Sequence, residues 1–310
     1  MIVEVEQDGI VGYGEASMPP YIGENQATAE AFLAKVDLSG ADAFRWEGLL
    51  DGIDRLDSGN NAAKAAVDIA LHDWLGKKMG IPWHRIWGLD PQTAPPSSMT
   101  IGIDTAENIR ARVREAAGFP VLKVKLGTDR DREIVRTIRE VTDVPLRVDI
   151  NQGWKVKEYA LEMAEWLAAD GVELIEQPMA KELLDDHAWL TERSPIPIVA
   201  DESVIRLGDI RRVQGAFSGI NVKLMKCAGM REAYRMILLA HALGMKVMLG
   251  CMTETSCGIS AAAQLAPMAD WVDLDGALLI ANDPFRGATV RSGRITLLEG
   301  PGIGVERTLS

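Results

Sequence analysis

The chain has 310 residues, of which 47% are hydrophobic and 25% are charged, so it can bury a substantial core in one large domain or two. Its 33 basic and 45 acidic residues give a net charge of -12, which argues against nucleic acid or an anionic membrane as a partner. No stretch approaches the length of a membrane span, and the first residues lack the pattern of a signal peptide. We therefore expect a cytoplasmic location.

The chain begins with a predicted β-hairpin. The segment MIVEVEQDGIVGYGEA, residues 1–16, alternates apolar and polar residues in two runs that meet at Asp8-Gly9, a strong turn signal. Residues 61–80, NAAKAAVDIALHDWLGKKMG, then show apolar residues at helical spacing and lysines near the end. We interpret residues 1–92 as an N-terminal α+β domain.

From Ser98 onward the pattern changes to short apolar strands separated by helices, as is typical of repeated βα units. We predict helices over 129–141, 155–169, 228–243 and 256–266, and a shorter one around 206–214. The eight predicted strands end near Gly102, Leu126, Ile150, Glu176, Ala200, Leu224, Cys251 and Asp275.

Eight parallel strands with crossover helices close most naturally into a (β/α)₈ barrel of the TIM type, which we assign to residues 93–280. Residues 1–92 would form a capping domain, and residues 281–310 would return to it. An open, doubly wound sheet is the alternative. It should show a glycine-rich phosphate turn after its first strand, but SMTIGIDTAEN has no G-x-G-x-x-G.

Single carboxylates end three consecutive predicted strands. Asp149, Glu176 and Asp201 each follow an apolar run, one βα unit apart. Oxygen ligands from neighbouring strands would form a Mg²⁺ or Mn²⁺ site, because burying three like charges without a cation is very unfavourable. A strand-end acid can also cap a helix or face solvent, but three acids in register favour a metal site.

Lysines end two other predicted strands. Lys125, in VLKVKLG, ends the second strand and Lys223, in NVKLM, ends the sixth, so the two amines would face each other across an eight-stranded ring. Lys123 shares a face with Lys125, and a neighbouring cation together with desolvation lowers the pKa of a lysine. Lys226 is the weaker candidate, because its odd offset from Lys223 would turn it to the other face if the strand continued.

These residue types predict a reaction class. A metal that binds a substrate carboxylate stabilises the enediolate formed when the adjacent carbon loses its proton. With a base on each side, the proton can leave from one face and return on the other. The pattern therefore predicts racemisation or epimerisation at a carbon α to a carboxylate.

Five motifs, KVK, DIN, IEQP, ADES and NVKLMKCAG, occur in this order, and through them the sequence resembles the enolase superfamily. The resemblance lies with the muconate-lactonizing subgroup, and more closely with dipeptide epimerases of the L-Ala-D/L-Glu epimerase type. In this superfamily a Lys or His base is known to act with Mg²⁺. The resemblance implies a modified, enolase-like barrel with one Mg²⁺ per active site. It implies that Asp149, Glu176 and Asp201 bind the ion, with Lys125 and Lys223 as the two acid/base catalysts.

The segment DLDG adds two acids at the end of the eighth strand. Asp273 and Asp275 share a face, where two carboxylates could pair with a substrate α-ammonium group; the alternative is an acidic loop. The resemblance implies that this pair holds the amino end of a dipeptide. It also implies that Thr100, Lys123 and Cys251 line the substrate pocket.

The resemblance thus implies a Mg²⁺-dependent enzyme that epimerises the C-terminal residue of L-Ala-L-Glu, or of another L-Ala-X dipeptide of cell-wall origin, through an enediolate. One alternative is a cycloisomerase or an o-succinylbenzoate synthase, but a substrate without an amine leaves Asp273 and Asp275 without a partner. A second is a ligand-binding barrel with impaired catalysis. The expected partner is a small dipeptide, and the resemblance is compatible with a homo-oligomer.

The sequence departs from the family in two places. Family members ordinarily begin with further strands and a mobile loop that closes over the pocket and contacts the substrate side chain, whereas this chain starts after that segment. We therefore expect a truncated capping domain. The sequence does not define which dipeptide side chains the protein prefers. Ala228 stands in CAG where a second glycine is usual.

Overall fold

The computed structural model describes residues 1–18 and 22–308, and it begins with the predicted hairpin. Strands β1 (Ile2–Gln7) and β2 (Ile10–Glu15) pair antiparallel. Both residues between them have positive φ, 54° and 71°, as a two-residue hairpin turn requires. The hairpin prediction is confirmed.

The long helix predicted over residues 61–80 forms the centre of the N-terminal region. It spans Asn61–Met79, and residues 62–76 are all buried, so it is packed on every side. The hairpin lies directly on its backbone. A Cβ at Gly12 would come within 2.1 Å of the Ala70 carbonyl oxygen, and one at Gly14 within 1.8 Å of Ala66 O, so glycine is required for this contact. The helices here are α1 (Gln26–Leu33), α2 (Trp46–Asp54), α3 (Asn61–Met79) and α4 (Trp83–Ile86).

Eight parallel strands follow, each hydrogen-bonded to the next along the chain. A bridge between Ser97 and Val272 joins the first strand to the eighth and closes the barrel. The predicted barrel is therefore confirmed over the open sheet, and every predicted strand end lies within two residues of the observed one. The strands are β3 (Met99–Ile101), β4 (Leu122–Lys125), β5 (Leu146–Asp149), β6 (Val172–Glu176), β7 (Ile198–Ala200), β8 (Gly219–Lys223), β9 (Lys246–Gly250) and β10 (Trp271–Asp273).

Crossover helices surround these strands. The five predicted helical segments are all found, although the one near 206–214 is a 3₁₀ turn, Leu207–Asp209, followed by one short helix. Two further crossover helices, Ala106–Glu115 and Leu184–Arg193, were not predicted. The helices are α5 (Ala106–Glu115), α6 (Asp131–Arg139), α7 (Lys157–Ala169), α8 (Leu184–Arg193), α9 (Ile210–Val213), α10 (Leu224–Cys227), α11 (Met230–Ala242) and α12 (Ser256–Ala263).

The C-terminal tail contains short antiparallel pairs. Its backbone contacts the N-terminal region: Gly302 N donates to Ile81 O, Trp83 N donates to Gly302 O, and Ile303 N donates to the Asp73 carboxylate of α3. These bonds tie the last residues to α3. The strands are β11 (Phe285–Arg286), β12 (Thr289–Arg291), β13 (Arg294–Thr296) and β14 (Glu306–Arg307).

Helix α3 also contacts the barrel through a buried acid. Asp68 accepts a hydrogen bond from Met230 N, 2.6 Å away, at the start of α11. A Cβ at Gly229 would lie 2.4 Å from the Asp68 carboxylate, so the contact depends on glycine there.

In the part of the chain that the structure describes, no helix combines the length and the apolar surface needed to cross a bilayer.

Candidate active site

Three acids meet at the carboxyl end of the barrel strands. Asp149 and Glu176 are the last residues of β5 and β6, and Asp201 directly follows β7. All three are buried, and each offers a carboxylate oxygen such that these atoms lie within 4.8 Å of one another. The strand-end positions therefore bring the predicted acids together, because neighbouring parallel strands end at the same edge.

The buried acids suit a hard divalent cation. Among the described residues, Glu176 Oε2 accepts no hydrogen bond, although Lys123 Nζ lies 2.8 Å away. Asn221 Nδ2 donates to the other oxygen, Oε1, and fixes the carboxylate. Burial, followed by the charge of Asp149, raises the pKa of Glu176 to about 7. A buried donor set made only of carboxylate oxygens fits Mg²⁺, and a cation would relieve the repulsion between these acids.

Two lysines flank the triad from opposite sides. Lys125, on β4, and Lys223, on β8, stand four strands apart in the ring of eight. Lys125 Nζ lies 2.7 Å from Asp149 Oδ2, and Lys223 Nζ lies 2.8 Å from Asp201 Oδ2. The amines thus approach different ends of the triad, with the cavity between them.

Lys123 lies deeper, among the acids themselves. Its Nζ is 2.8 Å from both Glu176 Oε2 and Asp273 Oδ2, and 3.4 Å from Asp149 Oδ2. Burial would lower the pKa of this amine, but the carboxylates of Asp273, Glu176 and Asp149 raise it well above the usual value. Lys123 is therefore a fixed positive charge rather than a base.

Asp273 ends the eighth strand and Asp275 follows it, and their surroundings shift the two pKa values in opposite directions. Asp273 Oδ1 accepts from Ser98 Oγ at 2.7 Å, and although burial opposes it, Lys123 holds the pKa of Asp273 below its usual value. Asp275 Oδ2 accepts from Thr100 N at 2.7 Å. Burial, followed by the charge of Asp273, raises the pKa of Asp275 to about 6.

The three lysines and the two acids of the eighth strand line one cavity of about 350 Å³, here named the central pocket, whereas the buried triad acids are not among its lining residues. A larger cavity, of about 890 Å³, lies between residues 80–96 and 292–301, but no predicted site residue lines it. The central pocket is lined by seven predicted site residues, Thr100, Lys123, Lys125, Lys223, Cys251, Asp273 and Asp275, and by Ser17, Met18, Met252, Thr253 and Leu279.

Cys251 contributes a neutral group to this lining. Burial, followed by the charges of Glu254, Asp275 and Asp273, raises the pKa of its thiol well above the usual value. A neutral thiol is a poor nucleophile. Cys251 can therefore shape the pocket without reacting.

Lys226 also lies beside the triad, which its position in the sequence did not predict. β8 ends at Lys223, so the strand does not continue, and the short helix α10 turns Lys226 back towards the site. Its buried Nζ contacts Asp201 Oδ1 and lies 2.7 Å from Asp201 O. Burial would raise the pKa of Asp201, but Lys223 and Lys226 hold it well below the usual range.

Other contributors were missed for different reasons. Asn221 lies two residues before Lys223 on the same strand face, so alternation could have identified it. Ser17 and Met18 come from the N-terminal region, and no local pattern signals that they reach the pocket.

Backbone strain concentrates at the mouth of the barrel. Of the described non-glycine residues with positive φ, Asn151, Gln152 and Gln177 directly follow the strands that carry Asp149 and Glu176. Such conformations cost about 1 to 3 kcal/mol each and persist where surrounding contacts impose them. Gln177 Oε1, for example, accepts from Asp201 N at 2.9 Å. Contacts such as this one impose the strained turns beside the triad.

Comparison with known proteins places this geometry in a family. Residues 1–88 match the model "Mandelate racemase / muconate lactonizing enzyme, N-terminal domain", and residues 104–308 match "Enolase C-terminal domain-like". The chain belongs to the enolase superfamily. The predicted family, fold and enzyme class agree with this membership.

Relatives of known activity cover almost the whole chain. An L-Ala-D/L-Glu epimerase from Bacteroides thetaiotaomicron is 58% identical over 98% of this chain and 80% of its own length. An L-Ala-D/L-amino acid epimerase from Pedosphaera parvula is 41% identical over 96% of this chain and 86% of its own. A dipeptide epimerase from Enterococcus faecalis, solved with Mg and the dipeptide L-Leu-L-Tyr, superposes with a TM-score of 0.92 at 32% identity, covering 99% of this chain and 91% of that one.

Proposed function

We propose that this enolase-superfamily protein is a Mg²⁺-dependent dipeptide epimerase, an isomerase that inverts the α-carbon of the C-terminal residue of an L-Ala-X dipeptide. The observation that carries the proposal is the placement of Lys125 and Lys223 on opposite sides of a buried acid triad, with Asp273 and Asp275 lining the same cavity. Its volume of about 350 Å³ falls within the range of small-molecule pockets. The names of the relatives agree with this activity.

In this proposal Asp149, Glu176 and Asp201 hold the ion. When bound, Mg²⁺ stabilises the negative charge that develops on the substrate carboxylate as the α-proton leaves. Lys123, as a fixed cation beside the triad, adds to the positive potential there.

Lys125 and Lys223 move the proton. One lysine enters the reaction as a neutral amine and takes the α-proton from one face of the substrate. The other enters as an ammonium group and returns a proton to the opposite face, which inverts the centre. After turnover the two lysines have exchanged protonation states, so the same pair catalyses the reverse reaction.

Asp273 and Asp275 hold the amino end of the dipeptide in this proposal. Two carboxylates paired with one ammonium group give charge-assisted hydrogen bonds that fix the distance between the amine and the reacting carbon. Thr100 orients Asp275 through its backbone N–H, and Cys251 lines the pocket wall. An o-succinylbenzoate synthase substrate has no amine, so it would offer these two acids no ammonium group to bind.

The test is an exchange assay. Incubation with Mg²⁺ and a library of L-Ala-X dipeptides in D₂O should replace the α-hydrogen of the C-terminal residue with deuterium, read by NMR. The same dipeptides carrying an N-acetyl group are the control, because they lack the ammonium group and should exchange far more slowly. Absence of exchange across the library would contradict the proposal, and equal exchange with blocked amines would contradict the role of the two acids.

A further inference from the structure

Two glutamates outside the proposed catalytic set are buried where the hairpin meets the barrel. Glu15 ends β2 and is 4% exposed, and Glu254, in the loop between β9 and α12, is 1% exposed. Two ionised carboxylates at such a site would repel each other without water to screen them. Their side chains are nevertheless neighbours, so their protonation states have to differ.

Glu15 has the bonding pattern of an ionised carboxylate. Its Oε1 accepts from Thr255 N at 2.9 Å, and its Oε2 accepts from Thr255 Oγ1 at 2.6 Å and from Gly258 N at 2.9 Å. These donors belong to the first turn of α12, where the helix dipole also favours negative charge. Glu15 is therefore the charged member of the pair.

Glu254 has the bonding pattern of a carboxylic acid. Its Oε1 accepts from Met252 N at 2.7 Å, whereas its buried Oε2 accepts no hydrogen bond from any residue that the structure describes. Oε2 of Glu254 and Oε2 of Glu15 lie 2.3 and 3.1 Å from the position that a Cβ would occupy at Gly258. An unbonded buried oxygen beside another carboxylate is accounted for if it is a hydroxyl, which is a donor.

The loop that carries Glu254 forms one wall of the central pocket. Cys251, Met252 and Thr253 line the cavity, and the bond from Met252 N to Glu254 fixes their turn. Ser17 Oγ also donates to Thr253 O at 2.8 Å, so the hairpin and this wall are in direct contact. The contact between the two glutamates therefore lies next to this wall of the central pocket.

We propose that Glu254 is a positioning residue that works as a neutral acid. Its Oε2 hydroxyl donates a hydrogen bond to Glu15 Oε2, and this shared proton ties the wall formed by Cys251, Met252 and Thr253 to the hairpin. Loss of the proton to solvent leaves two carboxylates that repel each other, and the wall loosens. The effect on substrate rests on the proposed function, but the shared proton does not.

The electrostatic surroundings agree with this assignment. Burial, and then the charge of Glu15, raises the pKa of Glu254 to about 8, while the bond from Met252 N and the charge of Lys223 oppose the rise. The thiols nearby stay neutral because burial raises their pKa. The charged groups that act on Glu254 are Glu15 of β2 and Lys223 of β8. The two nearby thiols, Cys251 after β9 and Cys257 of α12, are in turn acted on by Glu254 itself, by Asp273 and Asp275 at Cys251, and by Glu15, Asp73 and Lys77 at Cys257.

Infrared spectroscopy of the intact protein tests the proton directly and needs no substrate. At pH 7 the spectrum of the wild type minus that of Glu254→Gln should contain a C=O stretching band of a protonated carboxyl group. Glu182→Gln, a change at an exposed glutamate, is the matched control and should retain the band. Identical spectra for the wild type and Glu254→Gln would overturn the proposal.

A second variant keeps the test decisive if Glu254→Gln folds poorly. In Glu15→Gln the neighbouring charge is gone, so the band should titrate away at a lower pH than in the wild type. An unchanged midpoint would show that the proton is not shared and would overturn the proposal.

The consequence for the wall is measured by dipeptide affinity in the presence of Mg²⁺. Because the pKa is raised, the stabilising proton is present at neutral pH and is lost as the pH rises through about 8. The wild-type Kd should therefore rise several-fold across that pH, whereas Glu254→Gln, whose amide still donates, should show a smaller rise. Equal rises in both proteins would overturn the positioning role. If no dipeptide binds at all, the proposed function fails while the infrared result still stands.

Discussion

At the scale of single residues, the central pocket is a set of paired charges in which each partner restricts the other's protonation. Asp201 is held by Lys223 and Lys226 and stays ionised, while Lys123 is held by three carboxylates and stays protonated. A buried charge without such a partner is strongly unfavourable. The groups that can change protonation state are therefore those with fewer or weaker charge partners.

The proposed pair of bases predicts that removal of one lysine affects the two epimers of the substrate differently. Lys125→Ala and Lys223→Ala should each reduce epimerisation by about 10² to 10⁴-fold, because each removes one general acid or base. Each variant should still exchange the α-hydrogen of one epimer, since the remaining lysine serves that face. Deuterium incorporation measured separately from the two epimers checks this. Lys155→Ala, at an exposed lysine near the mouth, is the control and should exchange both; loss of both exchanges in each active-site variant would weaken the assignment.

Asp275 predicts a pH-dependent affinity. With its pKa raised to about 6, the acid becomes protonated as the pH falls through that value and can no longer pair with an ammonium group. Asp275→Asn should raise KM by roughly thirty-fold at neutral pH, which corresponds to about 2 kcal/mol for a charged hydrogen bond. The KM ratio of variant to wild type should shrink below pH 6. A ratio that stays constant with pH would contradict the role of Asp275.

At the scale of elements, the connection from β8 to α11 sets the position of both Lys223 and Lys226. The strand stops at Lys223, α10 makes one turn, and Ala228 and Gly229 then reverse the chain with φ of 65° and 114°. The reversal brings the start of α11 onto Asp68 of α3. The contacts of both amines with Asp201 thus depend on one tight turn between elements.

This turn predicts a stabilising substitution. Ala228→Gly should raise the free energy of unfolding by about 0.5 to 1 kcal/mol, because glycine adopts the left-handed conformation without the penalty that Cβ causes. Thermal and denaturant unfolding measure the change. Ala31→Gly, in the exposed face of α1, is the control and should lower stability by about 1 kcal/mol, because its backbone is helical. A destabilised Ala228→Gly variant would show that the methyl group makes a contact worth more than the strain.

At the scale of the whole molecule, the acid triad links ligand binding to stability. The triad joins three neighbouring strands, so a bound ion would cross-link the centre of the barrel. An ion that binds the folded chain but not the unfolded chain stabilises the folded state by mass action.

Magnesium should therefore raise the unfolding temperature. At about 100 times its Kd, Mg²⁺ should add about 2.7 kcal/mol, or several degrees in Tm, and chelation should reverse the shift. Glu176→Gln should largely lose the response, whereas Asp186→Asn, which alters an ion pair outside the pocket, should keep it. A Mg²⁺ response that survives in Glu176→Gln would place the ion elsewhere.

Much of the barrel could be predicted because its signals are local. Apolar residues mark each strand, and four strands end at a charged residue: Lys125, Asp149, Glu176 and Lys223. The same short segment therefore indicates where the strand ends and which side chain it carries there. Alternation within a strand also placed Lys123 beside Lys125. By contrast, α8 was not singled out, because its sequence LDDHAWLTER is largely polar and gives a weak periodic signal.

The sequence by itself determined the strand ends, their order and the chemistry of the side chains carried there, because those depend on residues close together in the chain. Tertiary structure alone decided what meets across long separations: Lys226 on Asp201, Ser17 on Thr253, and Glu15 beside Glu254. Such contacts arise when the hairpin and α10 pack on the barrel, and packing depends on the summed shape of many buried residues. A local pattern of apolar and polar residues does not specify how such distant segments pack together.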